Sequence, residues 1–155
     1  MKIFPIKKYS IVLINEREKV ISELKKDTLS DEQFVSNWNK QTFIGKVNDT
    51  NFEIKLSKKL YGDFCIFKGK LEEKKGSLEI EINKTYKIIL SAIFIFPIIG
   101  FLTSLFKNGF EKSVELIFPT IIFIIVLRFV FIELGFQIIL KNGINKLGKI
   151  IRIEK

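Results

Sequence analysis

The chain has 155 residues, of which 47% are hydrophobic and 28% charged, and its formal net charge is +9. It holds one cysteine, Cys65, and no histidine. Those counts exclude an internal disulfide, four-cysteine and histidine-containing zinc sites, the Ser-His-Asp and Cys-His constellations, and any imidazole acid–base step.

The N-terminal MKIFPIKK has a short apolar run before Lys7 and Lys8, and no small-residue cleavage site follows the apolar residues 11–14. This is not the pattern of a secretory signal, so the N-terminal part is expected to stay on the side of synthesis. Residues 11–14 read as a strand. Asn15 offers an N-cap, Glu16 and Glu18 suit the positive end of a helix, and Val20, Ile21 and Leu24 recur at helical spacing. A short amphipathic helix is therefore predicted over 16–26, its apolar side laid on a sheet. Residues 27–40 are polar and irregular, anchored by Phe34, Val35 and Trp38, with Trp38 read as a lid on a small core rather than a ligand platform.

From Thr42 the apolar period becomes two. Phe43, Gly45 and Val47 alternate with Ile44, Lys46 and Asn48, and Phe52, Ile54 and Leu56 alternate with Glu53, Lys55 and Ser57. The intervening NDTN is turn chemistry, so 42–57 reads as a β-hairpin. A third strand follows over 64–71, a turn containing Gly76 over 72–77, and a fourth strand carrying Leu78, Ile80 and Ile82. The prediction is an antiparallel β-meander, with an earlier strand pairing at an edge. Cys65, set among Phe64, Ile66 and Phe67, reads as a small buried hydrophobe and not a nucleophile.

Two apolar blocks, 88–106 and 116–134, then dominate the chain, joined by a polar insert over 107–115. Each has about the 20 residues that a helix needs to cross a hydrocarbon layer of about 30 Å. The first carries no charge. Its Ser91, Thr103 and Ser104 can return their hydroxyl hydrogens to the preceding backbone turn, and Pro97 and Gly100 are tolerated in spanning helices. Strands of this length would require turn signals that are missing, and a soluble core helix would show a polar stripe. The blocks are therefore read as a transmembrane helical hairpin. Asn83–Lys87 leaves no room for a flexible linker, so the sheet is expected close to the membrane surface. After it, Phe136, Ile139, Leu140, Ile144 and Leu147 fall at helical spacing, predicting an amphipathic tail helix over 136–147, whose straightness Gly135, Gly143 and Gly148 put in question. Residues 150–153 are either a last strand or the end of that helix.

The expected fold class is thus a membrane α+β protein. It would have a cytoplasmic α+β domain over 1–85, a hairpin over 86–135 and a cytoplasmic amphipathic tail over 136–155. Lys74, Lys75, Lys84 and Lys87 precede the first span, and Lys141, Lys146, Lys149, Arg152 and Lys155 follow the second. The insert holds only Lys107 and Lys112, offset by Glu111 and Glu115. By the positive-inside rule both termini are cytoplasmic, in a cell (inner) membrane.

Arg128 and Glu133 interrupt the second span and are the candidate intramembrane or interface charges. A charge at the bilayer centre costs a few kcal/mol. Arg128 either snorkels to the cytoplasmic interface or meets a partner such as Glu133 of a neighbouring chain. Within one α-helix a spacing of five does not bring two side chains face to face. Lys84, Lys87, Lys141, Lys146 and Lys149 are candidate membrane-surface residues, each worth roughly 1 kcal/mol toward anionic lipid. The lysines of the meander are interleaved with Glu53, Glu72, Glu73, Glu79 and Glu81, which argues against nucleic acid as a partner.

The stretches FIGKVNDTNFEI and FKGKLEEKKGSLEIEI followed by two spans resemble a group of uncharacterised small bacterial two-span membrane proteins. Phe43, Gly45, Phe52, Gly69 and Gly76 carry the likeness, which extends over about 16–147. It implies a β-rich cytoplasmic portion, a membrane hairpin and a short amphipathic tail. The arrangement is also distantly similar to bacterial pleckstrin-homology-like membrane proteins. Neither resemblance brings an established activity.

The expected function is a non-catalytic membrane module with no cofactor or metal, serving as a protein-interaction or accessory subunit, with membrane lipid and a protein partner or self-association through the hairpin. Two alternatives are lipid or amphiphile recognition by the sheet and tail, and an oligomeric pore-forming or membrane-disrupting effector. Asp27, Asp31, Glu32, Asp49, Asp63, Glu72 and Glu73 offer carboxylates, but no pair stands out as a catalytic couple.

Overall fold

The computed structural model describes residues 3–13, 15–30, 41–58 and 61–154. The expectations for Ile14, Asp31, Glu32, Phe34, Val35 and Trp38 lie outside the described residues. The chain divides into two compact units. One comprises Pro5–Asn83 with the residues from Phe136 onward, and the other comprises Lys84–Gly135 with Ile3 and Phe4.

The first unit is a seven-stranded sheet. Its strands are β1 (Ile6–Val12), β2 (Thr28–Ser30), β3 (Phe43–Val47), β4 (Asn51–Leu56), β5 (Cys65–Leu71), β6 (Lys75–Ile82) and β7 (Arg152–Glu154), in the order β2-β3-β4-β5-β6-β1-β7. The hairpin between β3 and β4 closes where sequence places it: Asn48 donates its backbone N–H to the Asn51 carbonyl at 2.8 Å, and its side-chain amide to Asn51 Oδ1 at 2.9 Å. Ile54 pairs with Phe67, and Phe67 with Ile80. The period of two thus sets these three side chains in one buried row.

Two helices cover the apolar face. α1 (Arg17–Asp27) lies against β2 and β3 and buries Val20, Ile21 and Leu24. α4 (Gly135–Leu147) buries Phe136, Ile139, Leu140 and Leu147 and approaches β5 at Gly143. Each such side chain contributes about 1.5–3 kcal/mol through burial.

Several expectations change here. The meander is a mixed sheet, because β2 pairs with β3 in parallel, Thr28 opposite Phe43. β2 falls inside the stretch read as irregular. A parallel edge strand of three residues is too short to show a period. β1 starts at Ile6, five residues before the predicted strand, and lies between β6 and β7 rather than at an edge. Its polar members hid it: Lys8 and Ser10 share its open face. The N-cap of α1 is Glu16, not Asn15, and makes no side-chain cap. The tight turn is closed at Glu72–Lys75, and Gly76 belongs to β6, paired with Leu71 and Ile11. The final residues are a strand, antiparallel to β1.

The second unit is a pair of long helices. α2 (Lys84–Ser113) is broken at Gly109, whose φ of 77° and ψ of 173° are open to glycine and costly to other residues. A 3₁₀ turn, Val114–Leu116, leads into α3 (Ile117–Val126), where Pro119 sits harmlessly in the first turn. Leu127–Leu134 is then π-helical and runs on into α4, so the helix is unbroken from Val114 to Leu147. The polar insert is therefore helical on both sides of Gly109.

Candidate functional site

The second helix carries two of the candidate residues, and they meet. Arg128 Nη1 lies 3.1 Å from Glu133 Oε2 within the same chain. Spacing in an α-helix argues against this pair, but Leu127–Leu134 is not α-helical. A π-helix closes hydrogen bonds from i to i+5, which stacks residues five apart. The two side chains are 14% and 33% exposed, so this ion pair is more shielded than those on the sheet. The guanidinium also sits 5.4 Å from the ring centroid of Phe129. Arg128 lines an apolar groove of about 450 Å³ with Ile3, Phe94, Ile98 and Ile124.

The hydroxyls of the first apolar block behave in two ways. Ser91 and Thr103 donate to the carbonyls of Lys87 and Ile99, four residues back, at 2.7 and 2.6 Å. Ser104 does not turn back. Its Oγ lies 3.1 Å from that of Ser113, which itself donates to the Gly109 carbonyl. Asn108 donates to Ser104 as well. These contacts tie the part of α2 before Gly109 to the part after it.

The basic candidates divide between the units. Lys84 and Lys87 begin α2, Lys84 exposed and Lys87 half-buried beside Ile88, Ser91 and Ile95. Lys141 and Lys149 are exposed, and Lys146, beyond the apolar block of its helix, is half-buried. Burial first, and then the charges of Lys58 and Lys149, lowers the pKa of Lys146. Sequence reading gave Lys58 no role, since it lies far from 146 along the chain.

The open face of the sheet carries a pattern that the sequence showed only as interleaving. Lys46 pairs with Glu53, Glu53 with Lys68, Lys68 with Glu79, and Glu79 with Lys8. The result is one row of strictly alternating charge across five strands. Lys8 reaches Glu79 at 3.0 Å, and Lys68 reaches Glu81 on the same face at 2.8 Å. Of the carboxylates, Asp49 pairs with Lys25 at 3.1 Å and Asp63 with Lys55 at 2.7 Å. Cys65 is fully buried, and burial pushes its thiol pKa up to about 12. A thiol held in this way is a poor nucleophile.

Together these features define an α+β chain with a mixed, helix-covered sheet and two helices long and apolar enough to cross a membrane. No protein-family model, curated protein or solved structure matches it.

Proposed function

We propose that the chain is a non-catalytic two-span module of a bacterial inner membrane, with both termini cytoplasmic, acting as an interaction or accessory subunit of a larger membrane complex. The observation that carries this reading is exposure. Within α2, the candidate span Lys84–Glu111 has no residue of its most apolar window buried within the chain; for the second span, Val114–Leu147, the share is 11%. Phe96, Phe106 and Phe118 are each more than three-quarters exposed. A core helix of a water-soluble protein would bury that surface, whereas lipid accommodates it. Lysines outside the insert outnumber those within it, which supports the orientation. The ion pairs of Asp49 and Asp63 and the shielded thiol fit a role without chemistry.

The test uses the full chain with Cys65→Ala and a new cysteine at Asn108 or at Lys149. An impermeant maleimide should label Asn108→Cys on intact cells and Lys149→Cys only after lysis. Release by alkaline carbonate would overturn the membrane reading, and the reverse labelling would overturn the orientation. Migration as a lone monomer in native gels from mild detergent would count against the subunit role.

One observation favours a second reading, recognition of anionic lipid. Lys58 and Lys149 stand close to the half-buried Lys146, whose pKa is lowered by burial first and then by their two charges. Native mass spectrometry would then show anionic lipid retained by the full chain and lost on replacing the three lysines with alanine. Equal retention of neutral and anionic lipid would set the reading aside.

A further inference from the structure

We propose that the Arg128–Glu133 ion pair is a register lock: it holds Leu127–Leu134 in the π form and makes that stretch a two-state element of the second helix. An α-helix turns about 100° per residue, so side chains five apart point about 140° away from each other. Those that face one another are three or four apart. The 3.1 Å contact therefore belongs to the π form.

The sequence around the pair sharpens the case. In α register, Arg128 would face Ile124, Ile125, Phe131 and Ile132, and Glu133 would face Phe129, Val130, Phe136 and Gln137. Neither set offers an opposite charge. The attraction between the two charges in an apolar stretch is thus available to one register alone. The π form is otherwise rare in long runs, and LRFVFIEL contains no proline or glycine to break the α ladder. The charge pair is what distinguishes these eight residues from the apolar helix before them.

The two registers differ by one residue, and such a change turns the helix beyond it by about 100°. An opposite charge on a neighbouring helix, drawing either member away, would release the segment. That use of the device, unlike the lock itself, rests on the subunit reading above.

The test is nuclear magnetic resonance on the full chain in detergent micelles. It reads the reach of backbone Overhauser contacts over 127–134, in the native chain, in Glu133→Leu and in the exchange Arg128→Phe/Phe129→Arg. The exchange keeps composition and both charges but sets the cation four residues before Glu133, the spacing that an α-helix favours. The native chain should show contacts reaching residue i+5, and both variants should lose them for the i+3 pattern of an α-helix. If Glu133→Leu does not fold, the exchange variant decides alone. Contacts to i+5 that persist in a folded variant, or that are missing from the native chain, would overturn the lock. The measurement is made on the isolated chain, so it stands whether or not the subunit reading fails.

Discussion

The ring of Phe67 fills the space that a side chain on residue 143 would occupy: a Cβ built on Gly143 overlaps the ring atoms. Phe67 is fully buried at the centre of the sheet, so it has no room to move aside. Glycine is thus kept in the middle of α4, where it costs about 0.5–1 kcal/mol against alanine, because α4 and β5 approach so closely there. Gly143→Ala is expected to lower stability by about 1–3 kcal/mol through overpacking. Adding Phe67→Leu should recover part of that loss, since the two residues are in contact. Thermal unfolding in detergent of the native chain, Gly143→Ala, Phe67→Leu and the double variant checks both statements. An unchanged midpoint for Gly143→Ala would mean that α4 does not rest on Phe67.

The ion pair of the second helix makes a thermodynamic prediction apart from its register. Removing one partner leaves the other charge uncompensated in a shielded place, whereas removing both leaves an apolar helix. Arg128→Leu and Glu133→Leu should each destabilise by about 2 kcal/mol, less than a fully buried pair because Glu133 is one-third exposed. The double variant should lie within about 1 kcal/mol of the native chain. Denaturant titration in mixed micelles measures the cycle. Additive losses in the double variant would show that the two side chains do not support one another.

What could be read from the chain, and what could not, follows from how each feature is encoded. Leu78, Ile80 and Ile82 alternate with Glu79, Glu81 and Asn83, so β6 declares its buried face. Asn48–Asn51 declares its turn, and the charge-free run after Ile88 declares a long apolar helix. Thr28–Ser30 declares nothing, because three residues cannot establish a period and their parallel pairing depends on where β3 comes to lie. The charge row was invisible for a related reason: Lys46 and Lys8 share it only once five strands are set in register. The Arg128–Glu133 contact was missed because hydropathy carries no mark of a π turn. Applying α spacing to the pair gave the wrong geometry.

Cys65 gives a pH dependence with a definite sign. Burial raises its thiol pKa from the ordinary 9.0 to about 12. Below pH 9 both folded and unfolded thiols hold their proton, and the residue adds no pH dependence. Between about 9 and 12 the unfolded thiol ionises and the folded one does not, so stability falls as pH rises through that window. A Cys65→Ala chain should lose this part of the alkaline slope. At pH near 8 a maleimide should react with native Cys65 far more slowly than with denatured chain. Fast labelling without denaturant would contradict the burial of the thiol.

Lys68 occupies the middle of the charge row, with Glu53 and Glu79 across from it and Glu81 bonded to it. The hydrogen bond to Glu81, aided by the neighbouring carboxylates and opposed by burial, raises its pKa. Its contribution is accordingly present below the ordinary lysine pKa and lost as pH climbs through the raised value. Reversing the charge, Lys68→Glu, would set four carboxylates side by side. Exposed cross-strand pairs are worth about 0.2–1 kcal/mol each, and Lys68 is 44% exposed, so the expected loss is about 1 kcal/mol at low salt. In about 1 M salt, where screening acts over about 3 Å, most of that loss should vanish. Lys68→Met keeps the apolar stem without the charge and should cost less than the reversal at low salt. Urea midpoints for the three chains at both ionic strengths provide the check. A loss for Lys68→Glu that did not shrink with salt would show that the alternation of charge is not its cause.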